Sequence, residues 1–148
     1  MTPSQIRDEL LSQHEGLRGR LEVTRAVVER WAKGEVPQAH VRSELAGLSD
    51  ALRTHNLIEE RTLRELIRAV DAWGPVRVEI MDEAHIGEHR DLFDALHAMS
   101  LAEDPREAVQ ELDKFREHLL QHMEKEEAGF LNASVLRDDV VAIDAQDG

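Results

Sequence analysis

The sequence predicts an all-α protein, an antiparallel up-down-up-down four-helix bundle with a short C-terminal tail. Three observations carry that expectation. Gly (8) and Pro (4) are scarce and Tyr is absent among 148 residues, a balance favouring helix. Breakers fall at only three places, Gly34 with Pro37, Gly74 with Pro75, and Glu103-Asp104-Pro105. Between them, apolar residues recur at the 3-4 spacing that keeps one helix stripe on a core.

The breakers delimit four segments, Pro3 to Lys33, Pro37 to Ala72, Pro75 to Leu101 and Pro105 to Gly129. Each is long enough to be a stable packed helix, and short links between long helices imply antiparallel neighbours. A hydrophobic content of 41% is sufficient for one core, so residues 1–130 form one domain and 131–148 an acidic tail or short helix. In that tail Val135, Leu136, Val140, Val141 and Ile143 stand among aspartates.

The first stripe reads Leu10, His14, Leu17, Leu21, Thr24, Val28, Trp31, and the second Leu45, Leu48, Leu52, His55, Glu59, Leu63, Leu66, Val70. The third reads Val78, Asp82, His85, His89, Leu92, Leu96, Met99, and the fourth Leu112, Phe115, Leu119, His122, Glu126, Phe130. Histidine, alone or with a carboxylate, interrupts every one. Residues equidistant from a hairpin turn lie level in an antiparallel pair, and at about 1.5 Å per residue these interruptions agree to within roughly one helical turn. The polar residues are therefore expected in a single layer. His40 and His97 lie off this pattern and read as ordinary surface residues.

An internal repeat sharpens the picture. His55-Asn-Leu-Ile-Glu59-Glu60 and His122-Met-Glu-Lys-Glu126-Glu127 share the pattern H-x-x-x-E-E, which places an imidazole and a carboxylate one turn apart. Glu60 and Glu127 then point about 100° away around an ideal helix, toward solvent or around the edge of the site.

Burying imidazoles and carboxylates without partners costs several kcal/mol per charged group, about what metal coordination relieves. With no cysteine in the chain, nitrogen and oxygen donors suit iron, manganese or zinc. A single zinc needs only about four ligands. Two carboxylates from opposite helices can each span two ions, which accounts for a longer donor list. The bland alternative is a metal-free bundle whose histidines are polar filler.

The pattern of one histidine, then H-x-x-x-E-E, then H-x-x-x-H, then H-x-x-x-E-E resembles the hemerythrin-like, or HHE cation-binding, domains over nearly all of residues 1 to 130. The resemblance implies two iron ions with an oxo or hydroxo bridge. It assigns His14 and His55 to one iron, His85, His89 and His122 to the other, and Glu59 and Glu126 to both. Oxygen-carrying hemerythrins take their last bridge from Asp at H-x-x-x-x-D, whereas this chain has Glu126 at H-x-x-x-E and looks more like the functionally varied HHE branch. Some relatives take only one histidine from the third helix, leaving either His85 or His89 beside the metal.

Asp82, three residues before His85, and His118, one turn before His122, are candidates for the surroundings of the site. Gly87, between His85 and His89, costs about 1 kcal/mol relative to Ala within a helix; it either opens space at the site, accompanies a π-bulge, or is simply tolerated.

Five histidines and two bridging carboxylates leave one iron position open. The expected use is binding dioxygen or a related small ligand, for storage or sensing. The alternatives are catalase-like decomposition of hydrogen peroxide or of nitric oxide, and iron sensing or storage. A net charge of −13, from 31 acidic and 18 basic residues, argues against nucleic acid and anionic membranes as partners. No apolar run of about 18 residues and no export leader is evident. A cytoplasmic monomer or homodimer is the expectation.

Overall fold

The computed structural model describes residues 2–65, 74–129, 131, 132 and 138, with the side chains of Leu63 and of residues 74–86 outside that description. The expectations for Leu66, Val70 and Phe130, and for the side chains of Val78, Asp82 and His85, accordingly lie outside the described residues. Helix α1 spans Pro3–Ala32, α2 Gln38–Ile58, α3 Gly74–Ser100 and α4 Pro105–Ala128, and α2 continues directly into a π-helical turn, Glu59–Leu63. The described residues contain helices and turns without strands.

Local chemistry sets the helix ends. Thr2 caps α1 through a reciprocal box, its hydroxyl accepting from the Gln5 amide while Gln5 Oε1 accepts from the Thr2 amide, and Pro3 occupies the first turn. At the other end Gly34 takes φ +74°, a left-handed conformation natural to glycine. The Gly34 and Glu35 amides donate back to Trp31 and Arg30 carbonyls, closing a Schellman turn. Asp104 caps α4 by accepting from the Arg106 amide, ahead of Pro105.

The helices pack as a ring in which α1 touches α2 and α4, and α3 touches α2 and α4. Cross-helix pairs give the directions. Arg20 covers Gly47 while His14 meets His55, so α1 and α2 run oppositely. Arg18 pairs with Glu127, Arg116 with Glu22 and Arg25 with Asp113, so α1 and α4 do as well. Gln38 reaches Ala102 while Glu60 reaches His89, so α2 and α3 also run oppositely.

The main apolar core fills one part of the bundle, where Leu21, Val28, Leu45, Leu48, Leu96, Met99, Leu112 and Phe115 interdigitate. The polar layer lies beyond Leu17, Leu52, Leu92 and Leu119. On its far side Ile6 and Leu10 of α1 and Leu131 after α4 are buried in turn. Arg7 Nε donates to the Leu131 carbonyl at 2.8 Å, and Asp138 accepts from the Ser4 amide and hydroxyl at 2.9 and 2.8 Å. These contacts tie the described points of the tail to the start of α1.

Candidate metal centre

Six residues from four helices form the layer: His14 on α1, His55 at the end of α2 with Glu59 in the π-turn, His89 on α3, and His122 with Glu126 on α4. All six are buried; Glu59 is 0% and Glu126 2% exposed. Their donor atoms fall into two overlapping groups able to hold a cation, His14-His55-Glu59-Glu126 and Glu59-His89-His122-Glu126. Within each group the atoms lie within 4.8 Å of one another. Both groups use the same two carboxylates.

In the first group the Nε2 atoms of His14 and His55 face each other at 3.2 Å, one donating to the other, and Glu59 Oε2 lies 2.9 Å from His55 Nε2. Glu126 Oε2 is 3.4 Å from His14 Nε2, and its other oxygen contacts His122 Nε2. The ring pairs match: His14 and His55 meet edge to face at 4.7 Å between centroids, His89 and His122 at 5.3 Å.

The outward Nδ1 atoms of His55, His89 and His122 are also occupied. Gln13 Oε1 accepts from His55 Nδ1 at 2.8 Å, and Glu60 Oε1 from His89 Nδ1 at 3.1 Å. Glu88 binds His122 Nδ1, and Glu127 Oε1 stands 3.5 Å from His14 Nδ1. At His55, His89 and His122 an acceptor at Nδ1 favours the tautomer with the Nε2 lone pair facing inward, the form in which imidazole ligates a metal. Both oxygens of Glu127 accept from Arg18 Nη2, at 3.0 and 2.8 Å.

Close packing of so many ionisable groups shifts their proton affinities. Burial, reinforced by the neighbouring Glu126, raises the Glu59 pKa well above the ordinary carboxyl range. Burial acts in the same sense on Glu126, but hydrogen bonds with Glu59, His122 and His14 outweigh it and lower its pKa. One carboxyl of the pair thus keeps a proton and the other is ionised, as expected of two acids sharing a site. Burial, together with His14, lowers the His55 pKa to about 4, and burial with His122 lowers that of His89. For His122, burial is outweighed by Glu126 and Glu88, so its pKa is raised.

Of the sequence candidates, the structure brings together His14, His55, Glu59, His89, His122 and Glu126. Residues Asp82 and His85 belong to α3, and their side chains lie outside the described residues. His118 is half-buried and joins neither group; His40 and His97 are exposed. Gly87 is exposed, with open space where a Cβ would stand, so its missing side chain makes no room at the site. The π-turn falls on α2, at Glu59. Glu60, within that turn, reaches His89 across the bundle.

Sequence reasoning passed over Gln13 and Glu88. The available signal was positional, because each immediately precedes a stripe histidine, His14 and His89. Asn56 was also missed; it is 5% exposed and neither end of its amide is hydrogen-bonded.

A surface cavity of about 420 Å³ between α1 and α2 is lined by Gln13, Gly16, Leu17, Asp50, Ala51, Thr54 and His55, so the Gln13–His55 contact borders an open groove. No helix among the described residues is long and apolar enough to cross a membrane. Comparison with protein-family models, curated proteins and solved structures returned no match.

Proposed function

We propose that this chain is a hemerythrin-like protein that holds two iron ions and binds dioxygen or a related small ligand at an open iron position. One observation carries the reading: two donor groups overlap through Glu59 and Glu126, an arrangement suited to a pair of ions and excessive for one. The donors are nitrogen and oxygen without thiolate, a set that suits iron. Their burial favours occupation, since enclosed carboxylates and imidazoles are expensive without a cation.

When bound, an iron pair supplies two electrons and a coordination position for a small oxidant or gas. The chain supplies everything else. Glu59 and Glu126 span the two positions, His14 and His55 face one, and His89 and His122 face the other. Gln13, Glu60, Glu88 and Glu127 orient the rings from outside. The burial of the six donors keeps them from bulk water, which strengthens electrostatic contacts in the layer. His85 belongs to the proposed ligand set through its place on α3, one turn from His89.

The test is anaerobic loading with Fe(II), followed by oxygen. A visible absorption change that reverses when oxygen is withdrawn supports ligand binding. Turnover of hydrogen peroxide or nitric oxide, lost in His14→Ala, would replace this reading with an enzymatic one. Failure to retain iron would remove both.

A further inference from the structure

The contacts of the layer repeat under an approximate twofold exchange of α1-α2 with α3-α4. Gln13-His14 on α1 corresponds to Glu88-His89 on α3, and His55-Glu59-Glu60 to His122-Glu126-Glu127. The bonding repeats with the residues. The residue preceding the first histidine holds the Nδ1 of the other histidine in its half, Gln13 on His55 and Glu88 on His122. The last glutamate of each repeat crosses to the opposite half, Glu60 to His89 and Glu127 to His14. His14-His55 and His89-His122 form matching edge-to-face pairs.

Across these described contacts the symmetry breaks in residue type at one place. Where the His55 ring is backed by the neutral amide of Gln13, the His122 ring is backed by the carboxylate of Glu88. A carboxylate behind an imidazole makes it a more basic ligand and adds a negative charge close to the cation, whereas an amide only orients the ring.

Resting on the two-ion reading, we infer that the two metal positions are unequal and fill in order. The position on His89 and His122 takes its ion first, and the Gln13/Glu88 difference is a determinant of that order. Gln13 and Glu88 act as positioning residues through the histidines they hold.

The experiment is anaerobic calorimetric titration of the metal-free full chain with Fe(II), with chelator competition to extend the range. Two resolved steps are expected, the tighter lost in His122→Ala and the weaker in His55→Ala. Glu88→Gln weakens the tighter step about 10- to 100-fold, the usual effect of removing such a partner, and leaves the weaker within about threefold. Gln13→Glu, which a merely structural role would not reward, strengthens the weaker step; the double exchange Gln13→Glu/Glu88→Gln reverses the filling order. Unchanged helical circular dichroism of each metal-free variant confirms folding. Two ions bound with equal affinity, or variants that move both steps together or neither, would overturn the inference while leaving a two-ion centre intact. Absence of any iron binding would instead overturn the centre itself.

Discussion

Glu59 and Glu126 occupy equivalent places in the two H-x-x-x-E-E repeats, yet in the folded chain their proton affinities move apart. The sign of each shift gives a consequence for the metal-free protein. Glu59, with its pKa raised by burial and by Glu126, must hold a proton that the unfolded chain releases. Its contribution to stability therefore declines as pH rises above the ordinary carboxyl range. Glu59→Gln removes that burden, so the metal-free variant is expected to gain stability over wild type at pH 7 and to lose the advantage near pH 4, measured by urea denaturation. His55, at about 4 when folded, acts oppositely: its contribution is complete above its ordinary pKa and is lost as pH falls toward 4. Asn56 offers a cleaner single-site test. Its buried amide has no hydrogen-bond partner, and Asn56→Leu should stabilise the metal-free fold by about 1–3 kcal/mol. At this scale the inward groups were legible because histidine or glutamate on an apolar stripe is conspicuous. Gln13 and Glu88 were not, since polar residues beside a stripe look like ordinary solvated ones until the opposing helix is in place.

Among the elements, the π-helical turn Glu59–Leu63 departs most from the sequence expectation. The repeat on α4 remains α-helical through Glu126 and Glu127, whereas the one on α2 widens as it reaches Glu59. In H-x-x-x-E-E nothing distinguishes the two outcomes, since Glu60 in the widened turn and Glu127 in the α-helix both reach a histidine of the opposite half. The breakers and caps, by contrast, are local chemistry and were readable directly: Gly34, Pro105 and Asp104 end or begin helices as their backbone preferences require. Deleting Thr62 should return the turn to α-helical winding and shift Glu59 and Glu60 against the helices they face. The expected result is preserved helical circular dichroism with weaker Fe(II) binding, by about 10-fold or more. Equal affinity in the deletion variant would show that the π-turn has no part in ordering the site.

Across the whole molecule, the polar layer divides the bundle's apolar interior, and its stability should depend on occupation. A cation that binds only the folded chain stabilises it by about 2.7 kcal/mol at a hundredfold excess over Kd. Thermal unfolding of the metal-free protein is therefore expected to shift upward on addition of Fe(II) under anaerobic conditions, and less so as pH falls, because protons compete for the same imidazoles. The bundle was legible from three breakers and four stripes because antiparallel packing follows directly from long helices and short links. The shared layer was legible through the same geometry, since level positions in hairpins depend only on counting from the turns. What counting could not supply is the set of outer contacts that Gln13, Glu60, Glu88 and Glu127 make with the histidines, which exists only between helices. The central claim is that Glu59 and Glu126 serve two ions at once. Metal analysis of chain loaded anaerobically with Fe(II) and freed of excess tests it most directly. Two irons per chain are predicted, with both affinities impaired in Glu59→Leu and in Glu126→Leu; one iron or none, or two that survive loss of either carboxylate undiminished, would contradict it.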